Sequence, residues 1–297
     1  MFTSALLAAA IAFTPADAKF AYGEAEGLVR EHTPRNGGTI RARLAAGWLL
    51  DRVSRTGVDA SLDTFTAATP DGERHFCNVM VELPGTETNA PWIVVMSHFD
   101  TAPDIGSGFQ GANDGASTSG LLIALAAAIR RAGPQRDSIA LVWTDGEECR
   151  REYGPDDGFQ GSRRLVELFR ERRRPVKCAI CLDMLGDKDL NIVVPGNGEK
   201  SLRKIVKAAA DRAGLGKYVT LCDDMAVKDD HQAFLDAGCS AVDIIDFDFG
   251  SAPGKNDYWH TPQDTLDKIS EASLLVSGRI VAEMLNMLGT PPAQKKR

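Results

Sequence analysis

The chain has 297 residues, 43% hydrophobic and 25% charged, with a formal net charge of -7 and a pI near 5.3. That length and composition fit one large α/β domain, and no internal repeat or Pro-, Gly- or Ser-rich linker divides it. The acid excess argues against nucleic-acid binding, which needs a clustered positive face.

Residues Phe2 to Thr14 are almost wholly apolar, and the small-x-small site Ala16-Asp17-Ala18 follows. This pattern predicts a secretory leader, residues 1–18, cleaved after Ala18, although the usual basic n-region is missing. The expectation is therefore an exported protein, periplasmic or secreted, with one catalytic domain over residues 19–297. A buried N-terminal helix is the alternative. The apolar part is too short to span a bilayer, and no later stretch reads as long enough, so stable membrane insertion is not expected.

From Gly37 to Thr56, helical spacing runs through Ile40, Leu44, Trp48 and Leu49 and stops at Gly57. Leu62–Ala67 and Phe76–Leu83 alternate as strands around the turn Pro70-Asp71-Gly72. A buried strand over residues 91–97 delivers His98-Phe99-Asp100, and a glycine-rich loop leads to Asn113-Asp114-Gly115 and an apolar helix over Leu121–Ile129. Ile139 to Val142 is an apolar run too short for a helix, hence a strand, and it ends in Asp145-Gly146-Glu147-Glu148. The helix over Ser162–Arg172 ends in the basic run Arg170-Glu171-Arg172-Arg173-Arg174, where cations complement the helix dipole. Strands follow at Val176–Met184 and Leu190–Val194, helices at Lys200–Ala213 and Asp230–Ala237, a last core strand at Ala241–Asp246, and a closing helix at Ser270–Leu288. Strands alternating with helices indicate a three-layer α/β/α sandwich on a mixed, mostly parallel sheet, with antiparallel strands from the early hairpin.

Six cysteines lack the spacing of a disulfide scaffold. Cys178 and Cys181 match C-x-x-C, but in a strand residues three apart point to opposite faces, so they read as core. Cys222 and Cys239 could pair in an oxidising compartment, and their spacing leaves that open.

Two adjacent glutamates at a strand end are costly near an apolar core unless a cation or proton neutralises them. A division of labour, with Glu148 on a metal and Glu147 moving protons, accounts for both. His98, Asp114, Glu148, Asp183 and His260 each fall at a predicted strand end or in an adjoining loop, and the carboxyl ends of neighbouring strands converge. Imidazole and carboxylate without thiolate is the donor set of catalytic zinc. Five donors would suit two ions sharing one carboxylate, so one or two Zn2+ per chain are expected. Asp100, on the same strand face as His98, is placed to hold its other ring nitrogen.

These residues stand in the order seen in the zinc aminopeptidase family typified by bacterial leucyl aminopeptidase (metallopeptidase family twenty-eight). From about Gly37 to Leu288 the chain resembles that family. The resemblance implies the zinc-exopeptidase (phosphorylase/hydrolase-like) architecture, with His98 and Asp183 on one zinc, Glu148 and His260 on the other, and Asp114 bridging. It also implies Glu147 as general base and Asp100 as the group orienting His98.

One branch, the glutaminyl cyclases, is more similar in places. Twelve residues, Cys149 to Gln160, separate Glu148 from Gly161-Ser162-Arg163, with Pro155 and Asp157 in the cyclase register. Asp229-Asp230-His231-Gln232-Ala233-Phe234 resembles Asp-Asp-His-x-Pro-Phe, and Trp259 precedes His260 as in cyclases. Tyr153, however, replaces a Trp that lines the cyclase substrate pocket. That departure places hydrolysis first: a zinc exopeptidase removing N-terminal residues from peptides, Glu147 taking the proton of a metal-activated water. The alternative is a glutaminyl-peptide cyclotransferase. A non-catalytic binding domain is the third reading, and retention of all five donors and Glu147 argues against it. Trp259, Tyr153, Asp230 and His231 are expected near the peptide substrate, with Trp259 as packing and Asp230 and His231 as a helix cap the plainer alternatives.

Overall fold

The computed structural model describes residues 9–289 apart from residue 88. Helix α1 (Pro15–His32) opens on a capping box, with Thr14 N donating to Asp17 Oδ2 at 2.8 Å and Pro15 in the first turn. There follow α2 (Ile40–Ser54), the hairpin β1 (Ala60–Thr69) and β2 (Gly72–Leu83), β3 (Trp92–His98), α3 (Thr118–Ala132), β4 (Ser138–Thr144), α4 (Gln160–Glu171) and β5 (Val176–Asp183). The chain closes with β6 (Ile192–Pro195), α5 (Lys200–Arg212), β7 (Val219–Cys222), α6 (His231–Asp236), β8 (Ala241–Ile245) and α7 (Glu271–Gly289).

The eight strands form one sheet in the order β1-β2-β4-β3-β5-β8-β6-β7. The β4, β3, β5 and β8 strands run parallel, while β2 meets β4 and β6 meets β8 antiparallel. Side chains of the central strands alternate between two cores. Ile93, Val95, Leu141, Trp143, Ile180 and Leu182 pack with α1, α2, α3, α5 and α7 on one face. Val94, Met96, Val142, Ala179 and Cys181 pack with α4 and α6 on the other. Three layers result, as the sequence pattern predicts. Truncating one fully buried aromatic such as Phe169 of α4 would cost about 3–5 kcal/mol.

Topology sets the site. From β3 the chain goes to β4 on one side and then crosses to β5 on the other, so the order reverses at β3, and there the strand ends leave a crevice. His98 of β3 pairs with Thr144 of β4. Met96 pairs with Cys181, which brings Asp183 alongside His98 two residues on.

The structure differs from the sequence reading, or adds to it, at four points. Helix α1 carries no clear apolar stripe in the sequence, because its buried face mixes Ala18, Ala21 and Ala25 with the acids Asp17 and Glu24. Of the segment read as a leader, residues 1–8 lie outside the described residues; Ile11 and Phe13 are buried in the main core, and Ile11 N donates to Asn286 Oδ1 at 2.8 Å. Ala16-Asp17-Ala18 lies in the first turn of α1 with Asp17 and Ala18 buried, while residues 9–14 before it are not helical. Contrary to expectation, α7 is long and apolar enough to cross a membrane, but 56% of it is buried, against α1, α3 and α5. Cys222 and Cys239 do not pair: all six cysteines are free, and these two pack against different clusters. Cys178 and Cys181 do face opposite cores, as strand periodicity requires.

Candidate metal centre

The five expected donors converge from five segments. His98 Nε2 lies 3.0 Å from Asp114 Oδ1 and 3.2 Å from Asp183 Oδ1. His260 Nε2 lies 3.3 Å from Asp114 Oδ2 and 3.1 Å from Glu148 Oε2. Two triads therefore form, His98–Asp114–Asp183 and Asp114–Glu148–His260, each with its donor atoms within 4.8 Å of one another. Asp114 belongs to both and turns one carboxylate oxygen toward each histidine.

The electrostatics call for positive charge. Burial pushes Glu148 up to about 7, with Asp114 adding to the rise. Burial opposes protonation of His260, yet Asp114 and Glu148 overcome it and push its imidazole up to about 11. His98 is likewise held well above its usual value by Asp100, Asp114 and Asp183 against the pull of burial. Asp114 Oδ2 and Glu148 Oε2 are buried without a hydrogen-bond donor, although an imidazole nitrogen stands close to each. Lone pairs aimed at a common point without a donor fit a divalent cation better than an ion-pair network.

Local backbone explains the placement. Gly146 adopts φ 79, and a Cβ there would come within 2.5 Å of the Phe76 ring, so the turn after β4 needs glycine. Glu147 N and Glu148 N both donate to Asp100, at 3.1 and 3.4 Å, while His98 Nδ1 lies 3.6 Å from the same carboxylate. Asp100 thus faces His98, as expected, and also clamps the glutamate turn. Glu147 is buried beside this centre, and burial together with neighbouring Glu148 pushes its carboxyl well above the usual range. A carboxyl so tuned suits proton transfer near neutrality.

An aromatic wall encloses the cleft. Trp259 stacks on His260 with ring centroids 4.1 Å apart and tilts against Phe247 at 5.1 Å. The Tyr153 hydroxyl donates to Glu147 Oε2 at 3.4 Å, and its ring stacks on Phe159 at 4.6 Å. Of the four substrate candidates, Trp259 and Tyr153 line the cleft and Asp230 and His231 do not. Asp230 is fully buried and accepts from Thr144 Oγ1, while His231 bonds Asn197 at 3.1 Å and is held down to about 4 by burial. Nor does the Asp230 side chain cap α6. Its neighbour Asp229 takes the expected place in the cleft wall. Residues at consecutive positions before a short helix point different ways, and the motif alone does not say which one faces the cleft.

The model for Peptidase family M28 matches residues 78–285, more than half of the chain. A glutaminyl cyclase from an Acidobacteriales bacterium shares 32% identity, covers 97% of this chain and 98% of its own, and superposes with a TM-score of 0.85. This chain belongs to peptidase family M28. Within it, the bovine (Bos taurus) glutaminyl-peptide cyclotransferase-like protein is 27% identical over 87% of this chain and 72% of its own length. A Zn-dependent exopeptidase from Parabacteroides distasonis shares the fold, with a TM-score of 0.76 at 22% identity over 90% of this chain and 96% of its own.

Two supports of this M28 centre carry no sequence motif. Asp264 Oδ1 accepts from Ala112 N at 3.0 Å and Asn113 N at 2.7 Å, and its Oδ2 accepts from Asp114 N at 3.2 Å. It pins the irregular turn that presents Asp114, whose own φ and ψ are not helical. Arg35, fully buried, donates to the carbonyls of Phe99, Gln110 and Gly111. It is a permanent cation next to the acids, although burial lowers its pKa to about 10. Asp264 follows the His260 loop by four residues and was within reach of a reading that asked what holds that loop. Arg35 gave no such signal.

Proposed function

We propose that this chain is a glutaminyl-peptide cyclotransferase, closing the N-terminal glutamine of peptides into pyroglutamate with release of ammonia. The observation that carries this reading is the likeness to the Acidobacteriales glutaminyl cyclase over nearly the whole of both chains. It reverses the order of the two sequence readings, which put hydrolysis first because of Tyr153. Trp259 stacked beside the metal triad and the Tyr153 hydroxyl on Glu147 give the cleft an aromatic enclosure suited to one flat side-chain amide.

Asp114, Glu148 and His260 line the cleft and would hold the catalytic zinc, whereas His98 sits behind them. The ion, when bound, polarises the carbonyl of the side-chain amide as a Lewis acid. Glu147 takes a proton from the α-amine as its nitrogen bonds to the amide carbon, then returns it to the leaving nitrogen, which departs as ammonia. Asp100 keeps the Glu147 and Glu148 backbone in place through both transfers. Tyr153 holds Glu147 Oε2, limiting the directions in which the carboxyl swings.

The aminopeptidase reading has one observation in its favour: the second triad, with His98 and Asp183, is complete. One experiment separates the two. Purified protein is given a Gln-initiated peptide and a Leu-initiated peptide, and products are identified by mass. Loss of ammonia from the first, with the second intact, is the expected outcome. Free amino acids from either peptide, without pyroglutamate, would overturn the cyclase reading in favour of hydrolysis.

A further inference from the structure

A groove of about 490 Å³ opens beside the metal cleft and shares two wall residues with it, Tyr153 and Lys228. A cavity of that size is in the range that holds a few peptide residues. Among the described residues no carboxylate pairs with its cations. Arg163 donates to the carbonyls of Pro155 and Gly154, each at 2.6 Å, and lies over the Phe159 ring at 5.7 Å. Lys228 is exposed at the junction of groove and cleft, and no ion pair involves it among the described residues. Against these stands one acid, Asp236, one of whose oxygens accepts from Gln232 at 2.7 Å. The groove is therefore net positive on a chain whose overall charge is -7.

The geometry points to a peptide subsite here. The residues that follow the N-terminal glutamine lie along this groove, and Lys228, supported by Arg163, favours an acidic side chain at the second or third position. The inference rests on the cyclotransferase reading and adds its substrate preference. Tyr153 and Lys228 wall both spaces, so a peptide whose glutamine fills the cleft can continue on this side into the groove. Rim charges of this kind act through encounter and ground-state binding, so the effect falls on KM.

The test uses three amidated peptides, Gln-Glu-Ala, Gln-Ala-Ala and Gln-Lys-Ala, on the zinc-loaded protein and on Lys228→Glu. The wild type is expected to rank kcat/KM as Glu over Ala over Lys, with roughly a fivefold span. That span shrinks at about 0.5 M salt, as solvent-exposed charge pairs do. Lys228→Glu is expected to reverse the ranking. Equal rates for all three, or an unchanged ranking in the variant, would overturn the subsite while leaving cyclisation standing. No pyroglutamate from any of the three would overturn the functional reading and the subsite with it.

Discussion

Two clusters of buried acids meet at the cleft, a front one bracketed by histidines and a rear one that reaches from Asp229 in the cleft wall back to Asp243 in the sheet. The front set, Asp114, Glu148 and Asp183, comes with two imidazoles and lone pairs that share an aiming point. The rear set is Asp229 and Asp243 with Cys181, again with donor atoms within 4.8 Å of one another. Asp243 and Cys181 are neighbours across β8 and β5, and neither oxygen of Asp243 has a donor. Burial, with Asp229 beside it, holds Asp243 well above the usual carboxyl range, and burial lifts Asp229 to about 6. Burial thus favours the protonated form of the rear carboxyls, while the front set, which histidines bracket, is built for a divalent ion. Carboxylate density alone does not make a metal site; imidazoles that share its aiming point do.

The sharpest way to break this contrast is at Glu147, which stands between the two sets. Glu147→Gln is expected to lower kcat by about 10³-fold while zinc content by elemental analysis stays at the wild-type value. Substantial residual turnover would remove its role as proton carrier. Next in size is His260→Ala, which takes a donor from the front triad and is expected to lose zinc on dialysis, with a lower Tm than wild type in added zinc. Full occupancy in that variant would contradict the ligand assignment. A smaller loss is expected from Asp264→Asn, which leaves Asp114 in place but loosens its turn: zinc affinity falls about tenfold to a hundredfold in a competition titration, and an unchanged affinity would reduce Asp264 to plain packing.

The smallest effect concerns the rear. Asp243→Asn keeps a hydrogen-bond donor toward Asp229, so zinc stoichiometry is expected to be unchanged; a fall would mean that this pocket also holds an ion. Protonation gives the buried acids around the cleft a pH signature. Asp229 is raised to about 6 and Asp230 to about 7, above the unfolded value near ~4. Raised carboxyl pKa values mean that the folded state binds more protons, so this stabilisation is complete below about pH 4 and is lost as pH rises through 6 to 7. The chelated protein, in which front-set Glu148 is raised to about 7 as well, should therefore show a falling Tm between pH 5 and pH 8, and a rise over that interval would contradict the raised carboxyls.

Much of the front was legible in the sequence, because strand ends and acid-histidine motifs coincide there. His98, Asp114, Glu148, Asp183 and His260 are brought together, and β3, β4 and β5, which end at or just before His98, Glu148 and Asp183, begin and end within about two residues of expectation. Helix α1 was missed because its buried face mixes alanine with Asp17 and Glu24, and β7 because only Val219 of its four residues is buried, so no apolar run marks it as one marks β6. Asp243 and Arg35 stayed invisible for another reason: each works through what it touches across the fold, and neither belongs to a local pattern. Asp230 and His231 were misplaced since a motif fixes order along the chain and not the direction in which a side chain points.

Arg35 has one more consequence. Its guanidinium is tied to three main-chain carbonyls and cannot leave as a bound ion can. A chelator that strips the centre still leaves one fixed cation among the acids, and the loop bearing Phe99 and the loop bearing Gly111 remain stitched to the same side chain. The emptied enzyme should therefore keep its shape and wait for reloading, losing catalysis long before it loses its fold.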